Sequence, residues 1–238
     1  MPDRRTHRGP HPGDVERFAA ARWPDLRRAV AHLGWLLGEG YAARSALQLV
    51  GDRFALDQRQ RQAVQRASCA PAVAVGRVAR ERPFAAMAEL WLDGFNVLTT
   101  VEAALGGGVV LLCADGCARD VQSVHGTWRR VAETVDAAAR VGDALAAAGV
   151  ARAVWLLDAP VGNSGRLATL LRELAAQRSF AWQVEVVASP DRLLAASTAP
   201  IATADSAVLD RAGAWVNLAR TLVAAVPTAF CVPMVPVA

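Results

Sequence analysis

The first third of the chain carries apolar residues at the spacing of an amphipathic helix. Five of them recur three or four positions apart: Trp23, Leu26, Val30, Leu33 and Leu37. Two glycines follow the last of these, so we expect the helix to end there. A second short helix is expected over residues 42–50 and a third over residues 57–69, with Asp57 as its N-cap. Together they predict a small all-α, helix-turn-helix-like domain at residues 22–71.

From residue 84 onward, short apolar runs alternate with amphipathic segments of helical length. The expected strands cover residues 87–92, 109–114, 153–157, 182–187, 201–204 and 214–218. Helical stripes of apolar residues fall between them, over residues 131–145 and 167–174. This alternation predicts an α/β fold with a Rossmann-like parallel sheet. Because the strand runs are uninterrupted, both faces of the sheet should be covered by helices.

Three further segments follow neither pattern. Residues 1–21 begin at a chain end and are rich in Arg and Pro, so we expect a disordered terminus. Residues 72–83 are expected to form a connector, because their charged side chains follow no apolar stripe, and they lead into the α/β domain at 84–226. Residues 227–238 form an apolar tail that covers either the sheet or a neighbouring subunit, which leaves a homodimer open.

Charge is divided unevenly along the 238 residues. Residues 1–82 hold 15 arginines against 8 acidic side chains, whereas residues 83–238 hold 11 against 14, and the chain has no lysine. A basic N-terminal part and an acidic C-terminal part indicate two parts with different tasks.

The four cysteines are too few and too scattered for a disulfide framework. No signal peptide or membrane span is apparent, so we expect a cytoplasmic protein without a membrane partner.

Four of the expected strands are followed by an aspartate: Asp93, Asp115, Asp158 and Asp205. The carboxyl ends of parallel strands share one edge of an open sheet, so we expect the four carboxylates to converge. Two such charges roughly 4 Å apart repel by about 4 kcal/mol at an effective dielectric near 20, and Mg²⁺ or Mn²⁺ would remove that repulsion. A single aspartate here is most often a helix N-cap, but four in succession favour a metal site.

Candidate contacts to nucleic acid lie in both parts of the chain. On the third helix, Arg59, Gln62 and Arg66 share one face that suits phosphates and base edges, and Arg44 is grouped with them. The alternative is an ordinary solvated face. The candidates in the α/β part are Arg129, Arg130, Asn163 and Ser164. The two arginines reach a phosphate or face solvent, and the Asn-Ser turn holds a phosphate at a helix N-terminus or is an ordinary capped turn.

Several motifs in order resemble a known family. The block GYAARSALQLVGDRFALDQRQRQAVQRASC resembles the N-terminal region of domain of unknown function 434. The stretches LWLDGFNVLTTVEAALGG, ADGCARD, LDAPVGNSG and ATADSAVLD resemble the C-terminal part that accompanies it, which is similar to PIN-like, NYN-type nuclease domains. The resemblance implies that Asp93 and Asn96 match the first nuclease motif and that Asp158 and Asp205 stand where later metal ligands are expected. It also implies an acid on a helix, for which Glu102 and Asp136 are the candidates.

These expectations combine into one leading hypothesis and two alternatives. The leading hypothesis is a Mg²⁺- or Mn²⁺-dependent ribonuclease with Asp93, Asp115, Asp158 and Asp205 as metal ligands and Asn96 orienting water or a ligand carboxylate. Nucleic acid is the expected partner, with RNA favoured over DNA. The first alternative is a non-catalytic nucleic-acid-binding or regulatory protein of the same fold. The second is a Rossmann-like enzyme acting on a small phosphorylated substrate.

Overall fold

Helices build the N-terminal part of the protein in the computed structural model, which describes residues 7–121 and 126–235. They are α1 (Asp14–Arg17), a 3₁₀ turn (Ala20–Arg22), α2 (Trp23–Gly38), α3 (Ala43–Arg53), α4 (Gln58–Ala67) and α5 (Pro71–Arg80). Helices α2, α3 and α4 lie where the apolar spacing predicts them. The Asp57 side chain accepts a hydrogen bond from the Gln60 backbone N–H, and the Gln60 side chain accepts one from the Asp57 N–H, which completes a capping box at α4.

Two segments outside the expected helical domain also belong to the fold. Helix α5 covers most of the residues expected to form a connector. Pro71 begins this helix. Arg77 is buried against acidic partners, and this ion pairing holds α5 in place without an apolar stripe. In the region expected to be a disordered terminus, Asp14 and Phe18 have no exposed surface. Phe18 packs into the core of α2, α3 and α4, whereas Arg8 binds Glu102 of the α/β part, so this segment contacts both parts of the fold.

The remaining elements alternate between strand and helix. The strands are β1 (Leu90–Asp93), β2 (Val109–Leu112), β3 (Ala118–Asp120), β4 (Ala153–Asp158), β5 (Trp182–Val187), β6 (Ile201–Ala202) and β7 (Phe230–Pro233). The helices are α6 (Gly94–Leu105), α7 (Thr134–Ala148), α8 (Ser164–Arg178), α9 (Pro190–Ala196), α10 (Ser206–Leu209) and α11 (Leu218–Ala224). The expected strand at 214–218 is absent; Trp215 forms isolated bridges and α11 begins at Leu218.

Strands β5, β4, β1 and β6 lie side by side in that order and form one parallel sheet. One large apolar cluster on this sheet includes Leu92, Trp155 and Val184 together with residues of α6, α7 and α8. A second cluster, around Leu156, Ile201 and Trp215, covers the other face. The sheet therefore has both faces buried, as the uninterrupted apolar runs predict. In the described part of the chain, no helix combines the length and apolar character needed to cross a bilayer.

Strand β2 belongs to a different sheet, which joins the two halves of the protein. It pairs antiparallel with β3 and parallel with β7, so the apolar tail supplies an edge strand to the chain's own sheet. One face of this second sheet packs against α2, α3 and α4, where Leu111, Val232 and Met234 are fully buried. The opposite face packs against α6 and α11. The helical and α/β parts thus share a core.

Candidate functional site

The carboxyl edge of the parallel sheet carries a cavity of about 210 Å³, here called the acidic cavity. Asp93 ends β1, Asp158 ends β4, and Asp205 follows β6. Three of the four carboxylates that the sequence predicts at this edge therefore line the acidic cavity. Its lining residues are Arg66, Asp93, Phe95, Asn96, Thr99, Asp120, Asp158, Val161, Pro190, Asp191 and Asp205.

Asp191 completes the row, although the strand-end pattern did not reveal it. It follows β5 and lies in the first turn of α9, whose N-cap is Ser189. Burial raises the pKa of Asp191, and the charges of Asp205 and Asp158 raise it further. Aspartates that follow all four strands of the parallel sheet therefore line one cavity. The signal that could have found Asp191 is the strand run 182–187, which is followed four residues later by this acid.

Asp93 lies deepest in the row. Burial raises its pKa to about 7, although hydrogen bonds from the Thr203 hydroxyl and the Asn96 N–H lower it, and the charges of Asp205 and Asp191 add to the rise. The Thr203 Oγ1 donates to Asp93 Oδ2 at 2.8 Å and accepts from the Asp205 N–H at 3.0 Å. Thr203, which the sequence did not indicate, therefore holds two of the aspartates in register.

The DGFN motif is shaped by its packing. A Cβ atom at Gly94 would lie 2.9 Å from the Leu156 carbonyl oxygen, so β4 can approach α6 only if glycine stands there. Asn96 Oδ1 accepts a hydrogen bond of 2.7 Å from the Ala204 N–H, which ties α6 to the segment that carries Asp205. Asp205 itself caps α10 by accepting hydrogen bonds from Ala207 and Val208. Asn96 and Asp205 thus have structural roles in addition to lining the cavity.

Asp115 does not join the row, contrary to the expectation from its position after β2. The Asp-Gly pair forms the tight turn between antiparallel strands β2 and β3, with Gly116 at φ +81°, and so does not begin a helix. Asp115 accepts hydrogen bonds from Arg77 (2.6 Å) and from Arg119 (2.9 and 2.6 Å). Burial alone would raise its pKa, but Arg119 and Arg77 outweigh this and lower the pKa to about 2.

Asp120 of β3 reaches the acidic cavity from the second sheet. It is 3% exposed, and burial raises its pKa to about 6 against the opposing charges of Arg66 and Arg8. Its Oδ1 lies 3.5 Å from Arg66 Nη2, and its Oδ2 lies 3.9 Å from Arg8 Nη1. Arg66 of α4 therefore stands beside a carboxylate on the cavity lining, and the helical part of the chain supplies a cation to the acidic site.

The donor set is the type that hard divalent cations prefer, since it consists of carboxylate oxygens at a shared rim. Asp93, Asp158, Asp191 and Asp205 would supply the oxygen ligands. Within residues 7–121 and 126–235, however, no three His, Cys, Asp or Glu side chains are already arranged as a ligand group. A cation would therefore have to draw these carboxylates closer together.

Two known protein families match most of the chain. Residues 85–221 match the family described as Domain of unknown function (DUF5616). This match covers more than half of the chain. The chain belongs to the DUF5616 family. Residues 25–80 match the family described as Protein of unknown function (DUF434). An uncharacterised protein of Methanocaldococcus jannaschii is 27% identical over 187 residues, which span 77% of this chain and 88% of the relative. No solved structure matches the chain.

The helical part of this DUF5616 protein uses some of its predicted nucleic-acid contacts internally. Arg59 binds the fully buried Asp14 through two hydrogen bonds of 2.5 and 2.8 Å, so it is not a free cation on the surface of α4. Arg44 and Gln62 are exposed, and Arg66 lines the acidic cavity. The predicted face of α4 is thus divided between an internal ion pair, an exposed amide and a cavity residue.

The other predicted contacts are Asn163 and Ser164 at the start of α8 and Arg129 and Arg130 in the loop before α7. Arg129 and Arg130 are exposed. The Ser164 hydroxyl is buried and donates to the carbonyl oxygens of Asp158 and Val161, so Ser164 acts as a brace for the loop after β4. Asn163 Nδ2 donates to the Trp128 carbonyl oxygen at 2.9 Å.

The helical acids suggested by the family resemblance lie away from the acidic cavity. Glu102 is fully buried and binds Arg8 and the Thr134 hydroxyl. Asp136 is exposed on α7 and pairs with Arg140. Neither residue lines the acidic cavity. Asp120 and Asp191 take the positions beside the three predicted aspartates.

Proposed function

We propose that this protein is a Mg²⁺- or Mn²⁺-dependent ribonuclease with a PIN-like α/β domain. The observation that supports this proposal is the row of aspartates that follows four parallel strands and lines one cavity. The carboxylate groups of Asp158 and Asp191 form no ion pair and no hydrogen bond to another residue in the described part of the chain. Capping and salt bridging therefore do not explain why these two carboxylates face the same cavity as Asp93 and Asp205.

The residues divide into ligands and supports. Asp93, Asp158, Asp191 and Asp205 would hold the cation, and Thr203 and Asn96 would position Asp93 and the Asp205 segment through the hydrogen bonds described above. Arg66 would contact a phosphate oxygen of the substrate at the rim, since a guanidinium suits phosphate geometry. The bound cation would supply an activated water and neutralise charge that develops on the phosphate.

The substrate that we favour is single-stranded RNA. A backbone phosphate must reach carboxylates recessed in a cavity, which a flexible single strand does more readily than a duplex. Exposed Arg44 and Gln62 on the helical part would extend the contact to the backbone and the bases. The net positive charge of +4 for the whole chain favours a polyanionic partner.

The proposal is tested by incubating end-labelled single-stranded RNA with the full-length protein in Mn²⁺ or in EDTA. We expect cleavage only with the metal. Asp158→Asn and Asp191→Asn remove carboxylates that make no structural bond, so each should lower the cleavage rate by at least about a hundredfold without unfolding the protein. Asp136→Asn is the matched control, because it changes an exposed aspartate on α7 to the same residue.

The alternatives give different results in the same experiment. RNA that is bound but never cut, with Mn²⁺ having no effect, would indicate a non-catalytic RNA-binding protein. If small phosphorylated compounds compete for the site and oligonucleotides do not, the protein would be an enzyme that acts on small phosphorylated substrates. Equal cleavage by the parent and both cavity variants would show that the acidic cavity is not the active site.

A further inference from the structure

A second cleft, of about 350 Å³, lies at the N-terminal end of α8. We call it the α8 cleft. It is lined by Trp128, Arg130, Asn163, Arg166, Thr169, Leu170 and Glu173. It shares no lining residue with the acidic cavity, but the loop between β4 and α8 borders both: Val161 lines the acidic cavity and Asn163 lines the α8 cleft.

The two arginines of the α8 cleft have no internal partner. Arg130 and Arg166 are exposed, and neither guanidinium group forms an ion pair or a hydrogen bond with another described residue. Three arginines of the protein's interior are instead paired with acids: Arg59 binds Asp14, and Arg77 and Arg119 bind Asp115. The α8 cleft therefore presents two available guanidinium groups, which suit an anion with several oxygens.

The end of α8 adds further positive potential. This helix has 15 residues, and its N-cap, Asn163, makes no capping hydrogen bond through its side chain. Asn163 lies in the left-handed region at φ 69°, where its Nδ2 is held by the Trp128 carbonyl oxygen. The partial positive charge at the start of α8 is therefore not offset by a side-chain cap. A Cβ at Gly165, in the first turn, would meet nothing within 4 Å, so the approach to this turn is open.

One lining residue of the α8 cleft, Trp128, carries a buried donor without an acceptor. Trp128 is 3% exposed, and its indole Nε1 has no hydrogen-bond partner among the described residues. A buried N–H without an acceptor costs free energy, and such groups usually have a reason in function. The indole is independent of the arginines and of the helix end, yet all three offer only positive charge or donors. Their common complement is an anion that accepts several hydrogen bonds.

We propose that the α8 cleft binds a phosphate group of the single-stranded RNA whose neighbouring phosphodiester lies in the acidic cavity. Arg130 and Arg166 clamp the phosphate oxygens beside the first turn of α8 and the Trp128 side chain. The assignment of this phosphate to RNA rests on the proposed function, whereas the phosphate site itself rests on the residues of the cleft. Glu173 lines the cleft as well and opposes the anion, so its removal should strengthen binding.

Binding is measured with the full-length protein in EDTA, where no cleavage occurs, so that failure of this proposal is distinct from failure of the nuclease proposal. The probe is fluorescein-labelled single-stranded RNA, titrated at several salt concentrations. Arg130→Gln and Arg166→Gln should each weaken binding by up to roughly fivefold and reduce the slope of log K against log salt by about 0.7. Glu173→Gln, a matched acid-to-amide change in the same cleft, should strengthen binding. Arg140→Gln, on the exposed side of α7, should change nothing.

A second measurement reports on the cleft directly. In a ¹⁵N-labelled sample, the Trp128 indole N–H signal, assigned by its loss in Trp128→Phe, should shift when RNA is added. If inorganic phosphate or a nucleoside monophosphate shifts this signal and RNA does not, the cleft takes a small phosphate ester and the assignment to an RNA chain is overturned. If neither ligand shifts the signal and the arginine variants bind RNA like the parent, the α8 cleft is not a phosphate site.

Discussion

Asp115 is held by Arg119 through both of its carboxylate oxygens, at 2.9 and 2.6 Å, inside a part of the protein where both side chains are buried. Arg119 in turn donates from Nε to the Ala204 carbonyl oxygen at 2.7 Å, directly before Asp205. Asp115, which resembles a metal ligand in the sequence, thus affects the acidic cavity indirectly, because it orients the arginine that holds the Asp205 segment. This relationship separates Asp115 from the cavity aspartates and leads to a first test.

Replacement of Asp115 should affect stability first. Asp115→Asn leaves Arg77 and Arg119 buried without their shared carboxylate, so we expect the free energy of unfolding to fall by about 3–5 kcal/mol. Asp210→Asn serves as the control, since its half-exposed carboxylate also binds Arg77 and should cost less than about 1 kcal/mol. Urea denaturation measures both. A variant Asp115→Asn with parental stability that had lost Mn²⁺ binding would show instead that Asp115 is a ligand.

The arginine on α4 that faces Asp14 should also be structural. Arg59→Gln leaves the fully buried Asp14 carboxylate without its cation, and we expect a loss of about 3 kcal/mol in the free energy of unfolding. Gln62→Ala, one turn away on the exposed face, should change stability by less than about 0.5 kcal/mol. Thermal and urea denaturation of the two variants provide the measurement. Weaker RNA binding by Arg59→Gln at unchanged stability would contradict this assignment.

Cation binding should stabilise the folded protein through the acidic cavity. Mn²⁺ relieves the repulsion among the strand-end aspartates and binds only the folded state, so a concentration 100 times the Kd should add about 2.7 kcal/mol. We expect the melting temperature of the parent to rise with Mn²⁺ and that of Asp158→Asn or Asp191→Asn to rise less. Asp136→Asn should respond like the parent. The same rise in all variants would place the cation elsewhere on the protein.

The pKa of Asp93 predicts a pH-dependent effect on stability in EDTA. Its folded pKa of about 7 lies above the ordinary value of 3.8, so the folded state binds more protons between these values and stability is lost as pH rises from about 4 to 7. Asp93→Asn removes this penalty. We expect the variant to exceed the parent in stability by on the order of 1 kcal/mol at pH 8 and to match it near pH 4.

Urea denaturation across this pH range provides the measurement, with Asp143→Asn as the control because Asp143 is exposed and pairs with Arg178. The control should show no gain at high pH. A variant Asp93→Asn that was less stable than the parent at pH 8 would mean that the hydrogen bond from Thr203 outweighs the cost of burying the charge.

Much of the local structure follows from the sequence. The three helices after residue 22, the Asp57 cap and strands β1, β4 and β5 lie close to their predicted positions, because periodicity and capping depend on neighbouring residues. Helix α5 was missed because its Arg77 is buried by partners 38 and 133 residues away. No spacing rule within the segment contains that information.

The alternation of strands with helices, and the aspartates that follow several strands, can be predicted from the sequence because adjacent residues carry both properties. Which strands become neighbours depends on how the sheets pack. That choice separates Asp115 from the row, adds Asp191 to it, and brings Asp120 and Arg66 to its rim. Strand pairing and the burial of charge join residues far apart in the chain, and the energies that select them arise only when the sheets pack together.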